Sequence, residues 1–404
     1  MKIISVVGAR PNFMKIAPFI HAINTYNTGV QETEKIQHLL VHTGQHYDDR
    51  MSKLFFESLN IPDADINLEV GSGSHAEQVG RTMIAFEKVL LDEKPDWVVV
   101  VGDVNATLAC SVTAKKLHIK VCHIEAGLRS GDMNMPEEIN RLVTDRLSDL
   151  LLTPDRMSNE NLRLEGVNES RIRFVGNIMI DTLEQNRSCA EAFVIEDILK
   201  ENLIVENTIA NFAINNFTIV TLHRPSNVDD KLVLSTLVDF LIQDVASKMP
   251  IVWTIHPRTK SKLIDFGLLD NLIQHKNIIL LRPLSYHELL KLNMNAKVVL
   301  TDSGGLQEEC TVLGTPCLTM RWNTERPITL VEHGGVSILV GNNVERIRTE
   351  FQTILNKQKA PVIPELWDGK TAYRCLEAII NHCCPIKNEN DHPSIGKLRC
   401  YWIF

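Results

Sequence analysis

The stretch MNMPEEINRLVTD (133–145) places two adjacent carboxylates, Glu137 and Glu138, directly after Pro136. Proline is favoured at a first helical position, where its missing N–H has no partner. Acidic side chains in that turn meet the positive end of the helix dipole. Taken alone, both glutamates are helix-start residues. Other carboxylates in the first half of the chain add a chemical reading. Asp103 in VVGDVNAT and Glu125 in HIEAGLRSG each follow an apolar run that reads as a strand, so with Glu137 they converge on one cleft. Carboxylates crowded together repel, which raises the proton affinity of some of them and makes proton transfer near neutral pH feasible. Arg141 lies four residues after Glu137, a spacing that predicts an ion pair holding Glu137 ionised.

A second group of residues suits an anion. VVGARPNFMK runs from a strand through Gly8 into a helix start, with Arg10 and Lys15 as cations beside it. Free N–H groups and the dipole at such a terminus favour phosphate, and two cations strengthen that preference. VLTDSGGLQEE (299–309) repeats the logic in the second half. Ser303, Gly304 and Gly305 join strand to helix and let backbone N–H groups approach a phosphate closely. Glu308 and Glu309 follow in the first turns, where a carboxylate can accept hydrogen bonds from ribose hydroxyls. His223 in TLHRP and His256 in TIHPR end successive strands, each next to an arginine, and read as donors or proton carriers for an anionic ligand. The chain has no HExxH and no clustered His/Cys spacing, Cys383 and Cys384 are too close to form a clip, and no strand end carries GxGxxG. No metal and no cofactor are expected.

These side chains need rigid elements to present them. Apolar runs alternate with amphipathic stretches, the signature of parallel β/α units. KIISVVGAR, IQHLLVHTG, DWVVVVGD, KVCHIEAG, DLLLTPD and RIRFVGN read as strands of one sheet. FTIVTLHR, PIVWTIHP, NIILLRPL, KVVLTDSG, TPCLTMR and VSILVG read as strands of a second. FMKIAPFIHAINTY, DRMSKLFFESL, AEQVGRTMIAFEKVLL and ATLACSVTAKKL read as helices, and 190–215 reads as linking helical material. Doubly wound sheets present ligands at the carboxyl ends of their strands, where Arg10, His46, Asp103, Glu125, His223, His256 and Ser303 all fall. A phosphate and ribose site on one side and acid–base groups on the other make a nucleotide-sugar cleft between two domains.

The bulk properties agree. The length of 404 residues fits two or three domains, and 44% hydrophobic with 23% charged residues is ordinary globular composition. A net charge of −8 gives no reason to expect nucleic acid or an anionic membrane surface as partner. No apolar run approaches a membrane span, and MKIISVVGAR reaches Gly8 and Arg10 too soon for a secretory signal. Nine irregularly spaced cysteines fit reduced thiols in a cytoplasm.

GARPNFMK, TGQHYD, GDVNATLA, HIEAGLRSG, MPEEINRLVTD, VGNIMIDTL, LHRPSNVD, IHPRTK, TDSGGLQEE, GTPCLTMR and NTERP, in this order over residues 1 to about 380, resemble the non-hydrolysing UDP-N-acetylglucosamine 2-epimerases. The resemblance implies an α/β fold of two Rossmann-like domains facing across a cleft, as in GT-B glycosyltransferases. It divides the chain into 1–178 and 179–369, with a helix near 370–382 crossing back to the first domain and a tail, 383–404, that matches nothing. It implies a UDP-sugar substrate, a homodimer, and C2 epimerisation by elimination and re-addition of UDP. Carried over position by position, Arg10 and Ser303 match diphosphate contacts, Glu308 the ribose ligand, and the backbone near Leu289 the uracil site. Lys15, Asp103, Glu125, Glu137, Arg141, His223 and His256 match positions for catalysis or substrate binding, while His46 and Arg326 belong to the Gln-His and Glu-Arg-Pro motifs.

The chain departs from the family in places. GLRSGDMNM lacks the Phe-Asp-Arg that often precedes Pro-Glu-Glu, HRPSN replaces Arg/Ala-Glu-Asn, and Ile328 follows Pro327 where Glu is common. Asp48 replaces a glutamine through which bacterial relatives bind a second UDP-N-acetylglucosamine as activator. The alternatives are a 2-epimerase for a modified UDP-sugar such as UDP-2,3-diacetamido-glucuronate, a hydrolysing epimerase, a GT-B glycosyltransferase and a non-catalytic UDP-sugar sensor. GARPNFMK, in place of GARPQFIK, favours the plain substrate over the modified one.

Overall fold

The computed structural model describes residues 1–8, 10–44, 63–205, 216–356 and 358–383. His46, Asp48, the expected helix DRMSKLFFESL and the tail from residue 384 lie outside them.

Two parallel sheets carry the molecule. The first contains β1 (Lys2–Val7), β2 (Gln37–His42), β3 (Ile66–Asn67), β4 (Trp97–Val101), β5 (Lys120–Ile124), β6 (Leu150–Thr153) and β7 (Ile172–Phe174), in the order β3-β2-β1-β4-β5-β6-β7. The second contains β8 (Thr218–Thr221), β9 (Ile251–Thr254), β10 (Ile278–Leu281), β11 (Val298–Thr301), β12 (Cys317–Thr319) and β13 (Ser337–Leu339), in the order β10-β9-β8-β11-β12-β13. Every strand pair within them is parallel. The two-residue β3 is too short to show a period and was not foreseen.

Continuous apolar runs become strands here because both faces of each sheet are covered by helices. β4 is buried at every position. Within β1, Ile3 and Val7 join one core cluster while Ile4 and Val6 join another on the opposite face, as a period of two requires. On the first of these faces, β1 packs on the helices Arg10–Thr28, Ile178–Glu191 and Thr371–Cys383, with Ile16, Phe19, Leu183 and Leu376 in a common core.

The link between the sheets is helical over Ile178–Glu191 and Ile195–Asn202, and Leu203 then bridges antiparallel to Leu281 at the edge of the second sheet. The last helix, Thr371–Cys383, returns to the first sheet's side. Its first-turn amides at Thr371 and Ala372 donate to the Asp181 carboxylate at 3.0 and 2.7 Å, and Trp367 Nε1 donates to the Pro154 carbonyl at 2.9 Å. Among the described residues, no helix is long and apolar enough to cross a membrane.

Candidate active site

Strand order reverses between β1 and β4 in the first sheet and between β8 and β11 in the second. Crevices open beyond the carboxyl ends of strands at such reversals. The β1–β4 end carries Arg10 and Asp103, and the β8–β11 end carries His223 and Ser303. Arg10 begins the helix Arg10–Thr28.

Between these ends lies a buried network of charges that crosses from one sheet to the other. Lys15, in the second turn of its helix, is ion-paired with Glu125 just past β5. Arg326 NH2 reaches the other Glu125 oxygen at 3.4 Å, its Nε sits 2.7 Å from Glu308 Oε1, and its NH1 pairs with Glu325. Arg321 closes on Glu325 at 2.6 Å, and Asn177, which caps the helix Ile178–Glu191, donates to Glu308 at 2.8 Å. Burial pushes Glu125 up, but Lys15 and Arg326 overcome this and hold its carboxyl below the usual range. Glu325 is likewise held low against burial by Arg326 and Arg321. Glu308 goes the other way, raised by burial with the nearby Glu125 charge adding to it, and its Oε2 has no hydrogen-bond partner among the described residues.

Backbone strain marks the same place. Glu125 has φ +70, a left-handed conformation that non-glycine residues adopt at a cost and that clusters at functional sites. Gly102, at φ +68, also sits in a tight place: a Cβ there would lie 3.2 Å from Lys15 Nζ and 3.3 Å from Asn12 Nδ2, which would have to give way slightly.

The helix Pro136–Leu147 begins with proline at its first position, as expected. The partner of Arg141 is a correction. Arg141 is buried, and pairs with Glu138 at 2.6 Å and with Asp103, not with Glu137. Glu138 turns inward because its oxygens accept the amides of Ser130 and Gly131 at 2.9 to 3.1 Å, and its carboxyl is held low against burial by those amides and Arg141. Glu137 stays half-buried, makes no ion pair among the described residues, and lies within electrostatic range of Arg224 from the second sheet.

His223 and His256 stand side by side, ring centroids 5.6 Å apart. His223 Nδ1 is 2.7 Å from Asp302, whose carboxylate is fixed by the amides of His223 and Arg224 and by Asn227. Burial pushes Asp302 up, and these contacts, His223 first, bring it below the usual range. His256 has a structural task as well: its Nδ1 accepts from the Arg258 amide at 3.2 Å as the cap of the helix Pro257–Asp265. Burial, and then the neighbouring His223, lower its affinity for a proton. Arg258, the arginine expected to serve a ligand, is paired with Asp229.

Ser303 caps the helix Gly304–Leu313 through its backbone and leaves its hydroxyl free of a capping bond. Gly304 is needed because a Cβ would meet Glu325 Oε1 at 2.8 Å, while a Cβ on Gly305 would face open space. Glu308 lies between Asn177 and Arg326, both of which approach its Oε1. Leu289 lies in the helix Tyr286–Asn295, where its amide donates to the Ser285 carbonyl at 3.1 Å. Among the described residues, no cluster of His, Cys, Asp and Glu could hold a metal ion.

The residues overlooked are Glu138, Asp145, Asn177, Arg224, Asp302, Arg321 and Glu325. All seven lie in a motif that carries the resemblance, and position in the motif was the available signal. Glu309, on the far side of its helix from Arg326, is buried beside Tyr286 and Asn293, and burial lifts its pKa to about 7. Because an unfolded glutamate titrates near 4.3, the folded chain binds the extra proton between about pH 4.5 and 7, and stability must fall as pH rises through that window. Urea unfolding should therefore show Glu309→Gln gaining stability on the parent as pH rises, by roughly 1–3 kcal/mol at pH 8. A gain that is the same at pH 4.5 and 8 would mean that Glu309 is ionised in the fold.

A family model described as UDP-N-acetylglucosamine 2-epimerase matches residues 28–380. The UDP-N-acetylglucosamine 2-epimerase of Methanocaldococcus jannaschii is 43% identical over 381 residues, covering 94% of this chain and 99% of that protein. The UDP-2,3-diacetamido-2,3-dideoxy-D-glucuronate 2-epimerase of Pseudomonas aeruginosa is 37% identical over 362 residues, covering 88% of this chain and 93% of its own. The crystal structure of the M. jannaschii enzyme in complex with UDP-GlcNAc and UDP matches with a TM-score of 0.82 at 42% identity, over 94% of this chain and 99% of that one. The two sheets are thus the paired Rossmann-like domains of a GT-B-like fold, and the chain belongs to the UDP-N-acetylglucosamine 2-epimerase family.

Proposed function

We propose that the protein interconverts UDP-N-acetylglucosamine and UDP-N-acetylmannosamine by eliminating UDP to give 2-acetamidoglucal and re-adding it after protonation of C2 from the opposite face. The observation that carries this reading is Glu125, strained at φ +70 and clasped between Lys15 and Arg326 where the two sheets face each other. No carbonyl is conjugated to C2, so simple proton abstraction is not accessible. Elimination breaks the C1–O bond to the diphosphate, forms the C1=C2 double bond and releases the C2 proton to a side chain. Re-addition returns a proton to C2 and the diphosphate oxygen to C1, so atoms and electrons balance.

Each step has a group suited to it. The leaving diphosphate needs cations, and Lys15, Arg321 and Arg326 from both halves, with Arg10 and the helix start at Ser303, Gly304 and Gly305, supply them. Binding would draw Arg326 away from its carboxylates toward phosphate oxygens. Proton transfer requires a carboxyl able to change charge, and Glu137, unpaired and partly exposed, meets that need better than Asp103 or Glu125, which are ion-paired. His223, oriented by Asp302 at its Nδ1, leaves its Nε2 to accept a proton and act as a further proton carrier.

The test is proton NMR of the sugar during incubation with UDP-N-acetylglucosamine in D₂O. Deuterium should enter C2 of the product, with traces of UDP and 2-acetamidoglucal escaping over long times. Product without deuterium would sink the elimination route. Turnover only of the diacetamido-glucuronate sugar would move the substrate to that of the P. aeruginosa relative. Free N-acetylmannosamine with stoichiometric UDP would indicate hydrolysis, and acceptor-dependent UDP release would indicate transfer.

A further inference from the structure

We infer that the open groove between the helices Arg10–Thr28 and Thr371–Cys383 is the docking site of this chain's own segment 400–404, CYWIF. Docked there, the segment would pin the returning helix to the helix that carries Arg10 and Lys15. The groove has a volume of about 420 Å³, within the ~300–1,000 Å³ of ordinary ligand sites. Ala22, Thr25 and Tyr26 line it from the first helix, and Tyr373, Leu376 and Ile380 from the last. Each set follows the three- and four-residue spacing of a single helix face, so two stripes lie side by side as the walls. Their base is the core of the first sheet: Leu376 belongs to it, and Tyr26 and Ile380 pack against it. Tyr373 stays 52% exposed beside them. Glu377 also lines the groove and makes no ion pair among the described residues.

Reach, composition and charge select this occupant. One wall of the groove is the helix from which the segment continues: Cys383 ends that helix, and the 16 residues 384–399 separate it from Cys400. Those residues are mostly polar and include Pro385, Pro393 and Gly396, which favour turns over helix. A coil of that length has a root-mean-square reach of about 20 Å. The wall from Tyr373 to Ile380 is only ~10 Å long at the helical rise. The chain can therefore fold back over its own helix with length to spare. Tyr401, Trp402, Ile403 and Phe404 are four consecutive large apolar side chains, which in water would form the kind of patch that folded surfaces avoid. Aromatic rings also bring the most area to an apolar groove, about 150–250 Å² each. Lys397 and Arg399 stand just before this run, within reach of Glu377. Tethering through a short linker gives a millimolar effective concentration, so a segment with a free affinity of only about 0.1 mM would be docked roughly nine-tenths of the time.

The test follows Trp402 in the full chain and needs no substrate. Its emission is isolated as the difference between the parent and Trp402→Phe. In the parent it should be blue-shifted and poorly quenched by acrylamide, at every protein concentration. Tyr373→Glu puts a charge at the exposed rim of the groove, away from the site, and Thr25→Glu does the same from the opposite wall should Tyr373→Glu fold poorly. In either variant acrylamide quenching of Trp402 should rise about five- to tenfold, from a segment roughly one-tenth free to one mostly free. Melting temperature should fall in Tyr373→Glu and in Trp402→Ala, and the double variant should fall no further than the larger of the two, because both remove one shared contact. Solvent-like emission of Trp402 in the parent would overturn the docking. Protection that survives both groove variants, or fully additive losses of stability, would place the segment elsewhere and overturn it too. Protection that grows with protein concentration would make the occupant the segment of a second copy and overturn the fold-back.

Discussion

Arg326→Ala should be the most damaging single substitution in the site. The guanidinium serves Glu125, Glu308 and Glu325 together, all of them buried, and among the described residues no other cation is ion-paired with Glu308. Removing one member of a buried ion pair leaves uncompensated charge and costs about 3–5 kcal/mol. The variant should unfold at correspondingly lower urea and bind UDP too weakly for calorimetry. Its kcat/KM should fall at least about 10³-fold, the upper end for loss of one electrostatic contact to a developing charge. Arg326→Lys should recover only part of this, because an ammonium cannot present a planar fork to several carboxylates. If Arg326→Ala kept its stability and its UDP affinity within about twofold, a difference of about 0.4 kcal/mol, the network would be incidental to the site.

The second large effect separates two neighbouring glutamates. Glu137→Gln preserves shape and removes the exchangeable charge, so turnover should drop at least about 100-fold if Glu137 moves a proton. Stability should stay within about 0.5 kcal/mol, as at positions free of packing and ion pairs. Glu138→Gln should behave in the opposite sense. Glu138 holds the amides of Ser130 and Gly131 and the guanidinium of Arg141, so its neutralisation should cost about 1–3 kcal/mol of stability. Comparison of urea unfolding and turnover in the two variants decides the matter. Equal losses of turnover and stability in both would return Glu137 to the role of a helix-start residue.

The pairing of Arg141 shows where reasoning along the chain stops. Positions i+3 and i+4 are both within reach of a helical arginine, so Glu138 and Glu137 are equivalent on a helical wheel. The choice falls on Glu138 because the loop before the helix folds back and aims two amides at it. That loop geometry has no local signature. The same holds for Glu308 and Glu309: adjacent in sequence, they point to opposite sides of one helix, toward Arg326 and toward Tyr286.

Local pattern is enough to place the strands, the helix starts and the polar residues at strand ends, because each depends on five to ten consecutive residues and a period of 2 or 3.6. The helix near 370–382 that returns to the first sheet came instead from the family resemblance. Pairings over long separations need the fold. Glu125 and Arg326 are 201 residues apart, and Asn177 and Glu308 are 131 apart. Their meeting follows from the tertiary fold, which sets the carboxyl end of β5 and the residues beside it against side chains of the second sheet. Burial then sets the chemistry. Removed from water, an unpaired charge is so costly that each carboxylate is either matched by a cation, as Glu125 is by Lys15, or drawn toward its neutral form, as Glu309 is.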